Sequence, residues 1–189
     1  MLPSALRSHS LLEMLGSIHG HKTIDGCMAD PLFAAYVRRF MDVEATPVLD
    51  PVEGVELEAY KDSLIERFGN PNIKDSVARI CLESSAKLPK FLIPTISENL
   101  ARGGSIKYAT LVIAAWCFYS DRGVDRHAVR LDIVDAMKDE LHQAAQVTKV
   151  VAYVGLSVRY VPFRELTPST MQPYTGVGVS VSSRQRQPW

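Results

Sequence analysis

The sequence has no apolar run long enough to cross a bilayer. Its most hydrophobic stretch, Tyr108 to Tyr119, falls short of the roughly 20 residues a spanning helix needs and reads as a buried core helix. It shows no secretory leader, since Met1 to Ser10 holds Pro3, Arg7 and His9 and no apolar segment. It carries no net charge: Lys plus Arg and Asp plus Glu both number 21. Nothing electrostatic therefore favours a nucleic acid or an anionic membrane as partner. Cysteine is scarce. Cys27, Cys81 and Cys117 are odd in number and sit on apolar helical faces, which predicts reduced, buried thiols in an intracellular, cytoplasmic protein.

Signatures of several chemistries are missing too. There is no Gly-x-Ser-x-Gly elbow for a hydrolase. The only Gly-x-Gly, Gly176-Val177-Gly178, lacks a third glycine and a following helix, so no dinucleotide-binding unit is expected and no residue is assigned to a cofactor. His19-Gly20-His21 has no cysteine or carboxylate at ligand spacing and reads as a helix-ending turn rather than a metal site. His127 and His142 fall in polar stretches and carry no further signal.

What is present is helical periodicity. The hydrophobic share of 47% over 189 residues is enough for one domain with a real core. Leu11, Leu12, Met14, Leu15 and Ile18 recur on one helical face, with Gly20 as a stop. Asp30-Pro31 predicts an N-cap and first-turn proline for a helix from Leu32 to about Val43. Val55 to Phe68 is a third helix, with Leu57, Tyr60, Leu64 and Phe68 inward, Glu58, Asp62 and Glu66 on a solvated face, and Gly69 as its stop. Ile73 to Ser84 is a fourth, followed by a turn opened at Pro89, a kink at Pro94 and an end at Gly103-Gly104. Ser105 caps the apolar helix Ile106 to Tyr119, which should be central. Asp132 to Val147 is a last amphipathic helix. From Val151 onward there are four prolines, Val-x-Val alternation and no Lys or Asp, so residues 148–189 read as an irregular, poorly ordered tail. The expected fold class is all-α over residues 1–147, with that tail.

One segment carries candidate chemistry. In Arg79-Ile-Cys-Leu-Glu-Ser-Ser-Ala-Lys87-Leu-Pro-Lys90, Arg79 lies within a helix and Lys87 just after its end, beside a turn set by two serines and a proline. Two cations at one turn suit a polyhydroxylated or anionic ligand. A surface ion pair for Arg79 and a helix-dipole partner role for Lys87 are the plainer alternatives.

The stretches Met41 to Asn70, Asn70 to Gly104 (NPNIKDSVARICLESSAKLPKFLIPTISENLARGG) and Ala114 to His127 (AAWCFYSDRGVDRH) closely resemble the C-terminal domain of the mannitol 2-dehydrogenase family, the polyol-specific long-chain dehydrogenases, and fungal members most. The resemblance runs from about Arg7 to Gln146. It implies a helical domain like the C-terminal domain of 6-phosphogluconate-dehydrogenase-like enzymes. That domain binds a sugar alcohol or ketose, and a separate Rossmann domain, which has no counterpart here, binds NAD or NADP. The implied reaction is metal-free hydride transfer of the D-mannitol to D-fructose type. A lysine acts as general base and asparagine holds the oxyanion. In the family's Lys, four residues, Asn, two residues, His signature, the histidine position is His9. Leu6 stands at the asparagine position and Met1 at the lysine position. Arg79 and Lys87 match the family's substrate-gripping residues. The resemblance thus implies a shortened domain that keeps part of the sugar-alcohol pocket and is inactive alone. Alternatively, it is a non-catalytic module that associates through the face a Rossmann domain would cover. A reading-frame change or altered splice after Gln146 would produce the tail.

Overall fold

A computed structural model describes residues 9–50 and 54–146, with the backbone alone at residue 9. The expected tail, and Met1 and Leu6, lie outside the described residues. Among those residues there is no β-strand, only isolated bridges pairing Thr23 with Ser76 and Val124 with Arg130.

Helix α1, His9–His19, forms the centre: every residue from Ser10 to Ser17 is buried, and the helix packs on the later helices Val77–Cys81 and Lys107–Arg122. Gly16 permits the close approach, because a Cβ there would stand 2.7 Å from Cys27 Sγ. Gly20, at φ +92°, ends the helix, and the amides of Gly20 and His21 both donate to the Gly16 carbonyl. Helix α2 is Ile24–Met28, capped by Thr23. In α3, Pro31–Phe40, Asp30 Oδ1 accepts from the Leu32 amide at 2.9 Å, as the Asp-Pro pair predicts.

The expected continuation of α3 to Val43 takes another form. The chain widens into a π turn, Met41–Ala45, and then tightens into a 3₁₀ turn, Thr46–Val48. The wide turn carries Glu44 inward, where it is fully buried. Helix α4 is Leu57–Phe68, with Leu64, Phe68 and, unexpectedly, Lys61 buried. Lys61 Nζ lies 2.6 Å from Asp42 and 2.5 Å from Glu58, and Arg38 pairs with Asp42, Glu58 and Asp62. Glu58 and Asp62, expected to be merely solvated, join Asp42 as the acids of an ion-pair network binding α4 to α3.

The expected helix Ile73–Ser84 is two helices. Helix α5 is Val77–Cys81, and α6 is Ser84–Phe91, which contains Pro89. Between them Glu83 takes a left-handed conformation at φ 52°. Helix α7, Ile93–Arg102, has Pro94 in its first turn and ends at Gly103. Helix α8, Lys107–Arg122, buries Ala109, Val112, Ala115 and Tyr119, while Ile113, Trp116 and Phe118 stay half-exposed. The middle of the domain therefore belongs to α1 rather than to α8, because α1 is enclosed on all sides. Residues 131–135 are irregular, and the last described helix, α9, covers 138–146 rather than starting at Asp132.

Candidate functional site

The break between α5 and α6 shapes the site. Glu83 turns the chain sharply, and Asp135 then caps α6 from a distant segment. The carboxylate of Asp135 accepts from Ser84 Oγ at 2.9 Å, the Ser85 amide at 2.8 Å and Ser85 Oγ at 2.6 Å. Burial pushes the Asp135 carboxyl up, but these hydrogen bonds outweigh it and hold the group below the usual carboxylate range. Trp116 Nε1 donates to Ser84 Oγ from α8. The two serines therefore start a helix rather than close one, and Lys87 lies inside α6.

Lys87 reaches back across the break, donating from Nζ to the Ile80 carbonyl at 2.6 Å. Arg79, on α5, is held by Asp75: its Nε is 2.8 Å from Oδ1 and its Nη2 also donates there. Ser76 Oγ caps α5 by accepting from the Arg79 amide at 3.4 Å. These two cations, the pair the sequence singles out, open on one cavity of about 290 Å³. Ser10 and Glu13 of α1, Arg67 of α4, Asp75, Ile80 and Phe91 complete its lining. A smaller crevice of about 30 Å³ adjoins it, sharing Arg67 and Asp75. His9 opens α1 one residue before Ser10 of this wall and is described by its backbone alone.

Sequence reasoning passed over Glu13. It is fully buried, and neither carboxylate oxygen meets a hydrogen-bond donor among the described residues. Burial pushes its carboxyl up to about 8, against the pull of Lys87 in the other direction. The available signal was a single acid inside the run Leu11, Leu12, Met14 and Leu15.

His19 and His21 gain a carboxylate that sequence spacing did not supply: with Asp30 they bring three candidate ligand atoms within 4.8 Å. The two imidazoles stack, with centroids 4.7 Å apart and planes 21° apart, and both meet Phe33 edge-on. Stacked rings send their in-plane lone pairs side by side rather than to one point. Arg126 also sets Nη1 2.5 Å from His19 Nε2. Burial, reinforced by the Arg126 charge, lowers both histidines from their ordinary range. The arrangement is a neutral aromatic stack facing a guanidinium.

The described residues thus form an all-helical domain with a cleft walled by two cations and a buried acid. The sequence model of the mannitol dehydrogenase C-terminal domain matches residues 6–162, past Gln146, where the resemblance legible in the sequence stops. The chain belongs to that family. A mannitol 2-dehydrogenase of Aspergillus fumigatus is 39% identical over 139 residues, 74% of this chain and 28% of that protein. A mannitol dehydrogenase of Saccharomyces cerevisiae is 40% identical over 138 residues, 72% of this chain and 27% of its own length. Among solved structures, Pseudomonas fluorescens mannitol 2-dehydrogenase in ternary complex with NAD and D-mannitol superposes with a TM-score of 0.74. It is 38% identical, covering 82% of this chain and 31% of that one. A substrate-free D-sorbitol dehydrogenase shares the fold, at a TM-score of 0.68 and 22% identity, over 73% of this chain and 29% of that one. The chain thus spans under a third of the length of the relatives it matches.

Proposed function

We propose that this chain forms the sugar-alcohol-binding wall of an NAD- or NADP-dependent polyol dehydrogenase of the D-mannitol to D-fructose type. His9, Arg79 and Lys87 hold substrate hydroxyls. The observation that carries this reading is the convergence of Arg79 and Lys87 on one cavity of about 290 Å³ in a chain of this family. That volume suits a small polar ligand. Lys87 spends one ammonium proton on the Ile80 carbonyl and keeps two for hydroxyl oxygens.

A nicotinamide cofactor would accept the hydride. Nothing in the described residues fits a dinucleotide, because they contain no strand and no Gly-rich strand-to-helix turn. No hydride step is therefore assigned to them. Met1 and Leu6 stand where the family places its base and oxyanion partner, and neither side chain can do that work. Loss of a general base alone costs roughly 10²- to 10⁴-fold. Free thiols at Cys27, Cys81 and Cys117 support a reducing, cytoplasmic setting. No helix among the described residues is long and apolar enough to cross a membrane.

The test is ligand-observed saturation-transfer NMR with D-mannitol, alongside absorbance at the NADH band with NAD added. We expect saturation transfer from the wild-type chain, at least about tenfold weaker binding by Lys87→Met, and no NADH above blank. Absence of transfer overturns the binding role, and clear NADH formation overturns the inactivity.

A further inference from the structure

We propose that Glu13 is a further substrate-binding residue of this cavity, accepting one hydroxyl of a vicinal diol whose neighbouring hydroxyl accepts from Lys87. The inference rests on reading the cavity as a sugar-alcohol site.

Glu13 stands in the wall of the cavity with both oxygens unpartnered among the described residues, in the middle of the most deeply buried helix. A buried carboxyl without hydrogen bonds is costly, and native proteins retain few of them. Packing does not call for it. Its neighbours Leu11, Leu12, Met14 and Leu15 show that α1 is filled by aliphatic side chains, and methionine would occupy the same volume. The missing partner is therefore a group that arrives from the cavity.

The surroundings select its chemistry. Arg79 is already engaged by Asp75, while Lys87 retains two free protons. A cavity lined by donors alone would favour an anion. Adding an acceptor beside Lys87 makes a donor–acceptor pair, and a vicinal diol answers it because each hydroxyl both donates and accepts. The ionisable groups facing Glu13 are Arg67 from α4, Asp75 from the segment before α5, Arg79 and Cys81 from α5, Lys87 from α6 and Tyr119 from α8. The Cys81 thiol and the Tyr119 phenol are both pushed up, by burial first and by the Glu13 charge among other causes. Neither supplies a compensating positive charge.

With its carboxyl raised to about 8, Glu13 is largely protonated at neutral pH in the free chain. A hydroxyl donating to the carboxylate favours its charged form, so D-mannitol binding should release a proton and tighten as pH rises towards about 8.

The experiment is calorimetric titration of D-mannitol into the full chain at pH 7, in two buffers of different ionisation enthalpy, for wild type, Glu13→Gln and Glu13→Met. Thermal unfolding is followed in parallel. We expect proton release from wild type only. Glu13→Met should bind at least about tenfold more weakly while melting at a higher temperature, a combination that a packing role does not produce. Glu13→Gln, whose amide still accepts, should keep affinity within about threefold and lose the pH dependence. Wild type that binds D-mannitol with no proton release, and Glu13→Met that binds equally well, overturn the assignment of Glu13 and leave the cavity's role standing. A wild-type chain that binds no D-mannitol at any pH overturns both.

Discussion

Among the described residues two glutamates are withdrawn from solvent, Glu44 in the π turn after α3 and Glu13 in the middle of α1. Glu44 is surrounded by donors. Its Oε1 accepts from Ser105 Oγ at 2.9 Å and the Tyr108 amide at 2.8 Å, and its Oε2 accepts from the Ala109 amide at 2.8 Å. It thereby caps α8 from more than 60 residues away and places a negative charge at the positive end of that helix. Asn99 Nδ2 donates to its backbone carbonyl at 2.8 Å and holds the turn itself. Burial raises the Glu44 carboxyl, and these hydrogen bonds pull it back part of the way. Glu13 has the same burial and no donor among the described residues. Burial alone therefore does not distinguish a structural acid from a functional one; what separates them is whether the fold supplies the partners.

This contrast can be broken most directly at Glu44. Glu44→Ala leaves three donors unpaired at the start of α8 and should cost about 3 kcal/mol of stability in denaturant unfolding. A cost below about 0.5 kcal/mol would mean the cap is not structural. Glu13→Met should do the reverse and raise stability by about 2 kcal/mol near pH 8. The gain should depend on pH. The carboxyl titrates near 4.5 when unfolded and near 8 when folded, so the native state holds the proton more tightly. Between those values unfolding releases a proton, and rising pH favours the unfolded chain. Wild-type stability should thus fall from pH 4.5 to about 8, and Glu13→Met should flatten that slope. An unchanged slope would show that Glu13 does not titrate as a buried acid.

Asp135 is a third acid, satisfied like Glu44. Asp135→Ala removes the three hydrogen bonds at the start of α6 and should cost about 1.5 kcal/mol. It should also weaken D-mannitol binding, because Lys87 sits on the turn it anchors. Unfolding curves and the NMR titration would separate the two effects. The smallest change is expected for Ser76→Ala, which uncaps α5 beneath Arg79 and should cost about 1 kcal/mol.

Local signals marked most helix ends. Asp30-Pro31 starts α3, Gly20 stops α1, and Gly69 and Gly103 end α4 and α7, because each acts through its own backbone or its nearest amides. Ser105 does accept from the Lys107 amide, at 3.3 Å, but Glu44 does more of the capping. The split at Leu82-Glu83 was hidden, since a glutamate is not an ordinary left-handed residue. It is held there by the Val134 carbonyl, which accepts from the Glu83 amide. Lys61 was read past because a lysine three residues after Glu58 looks solvated until Asp42 is brought above it.

The sequence by itself determined an all-helical domain, its family, and the identity of Arg79 and Lys87 as the cations of interest, because period, caps and motif are local properties of the chain. Only the tertiary structure decided what surrounds them. It brought Asp135 to the start of α6, Glu44 to the start of α8, and the two cations to a cavity faced by Glu13. The physical reason is that the state of a buried carboxyl depends on which donors the fold delivers to it, and all of Glu44's and most of Asp135's lie 50 or more residues away. For Glu13 the described residues deliver none.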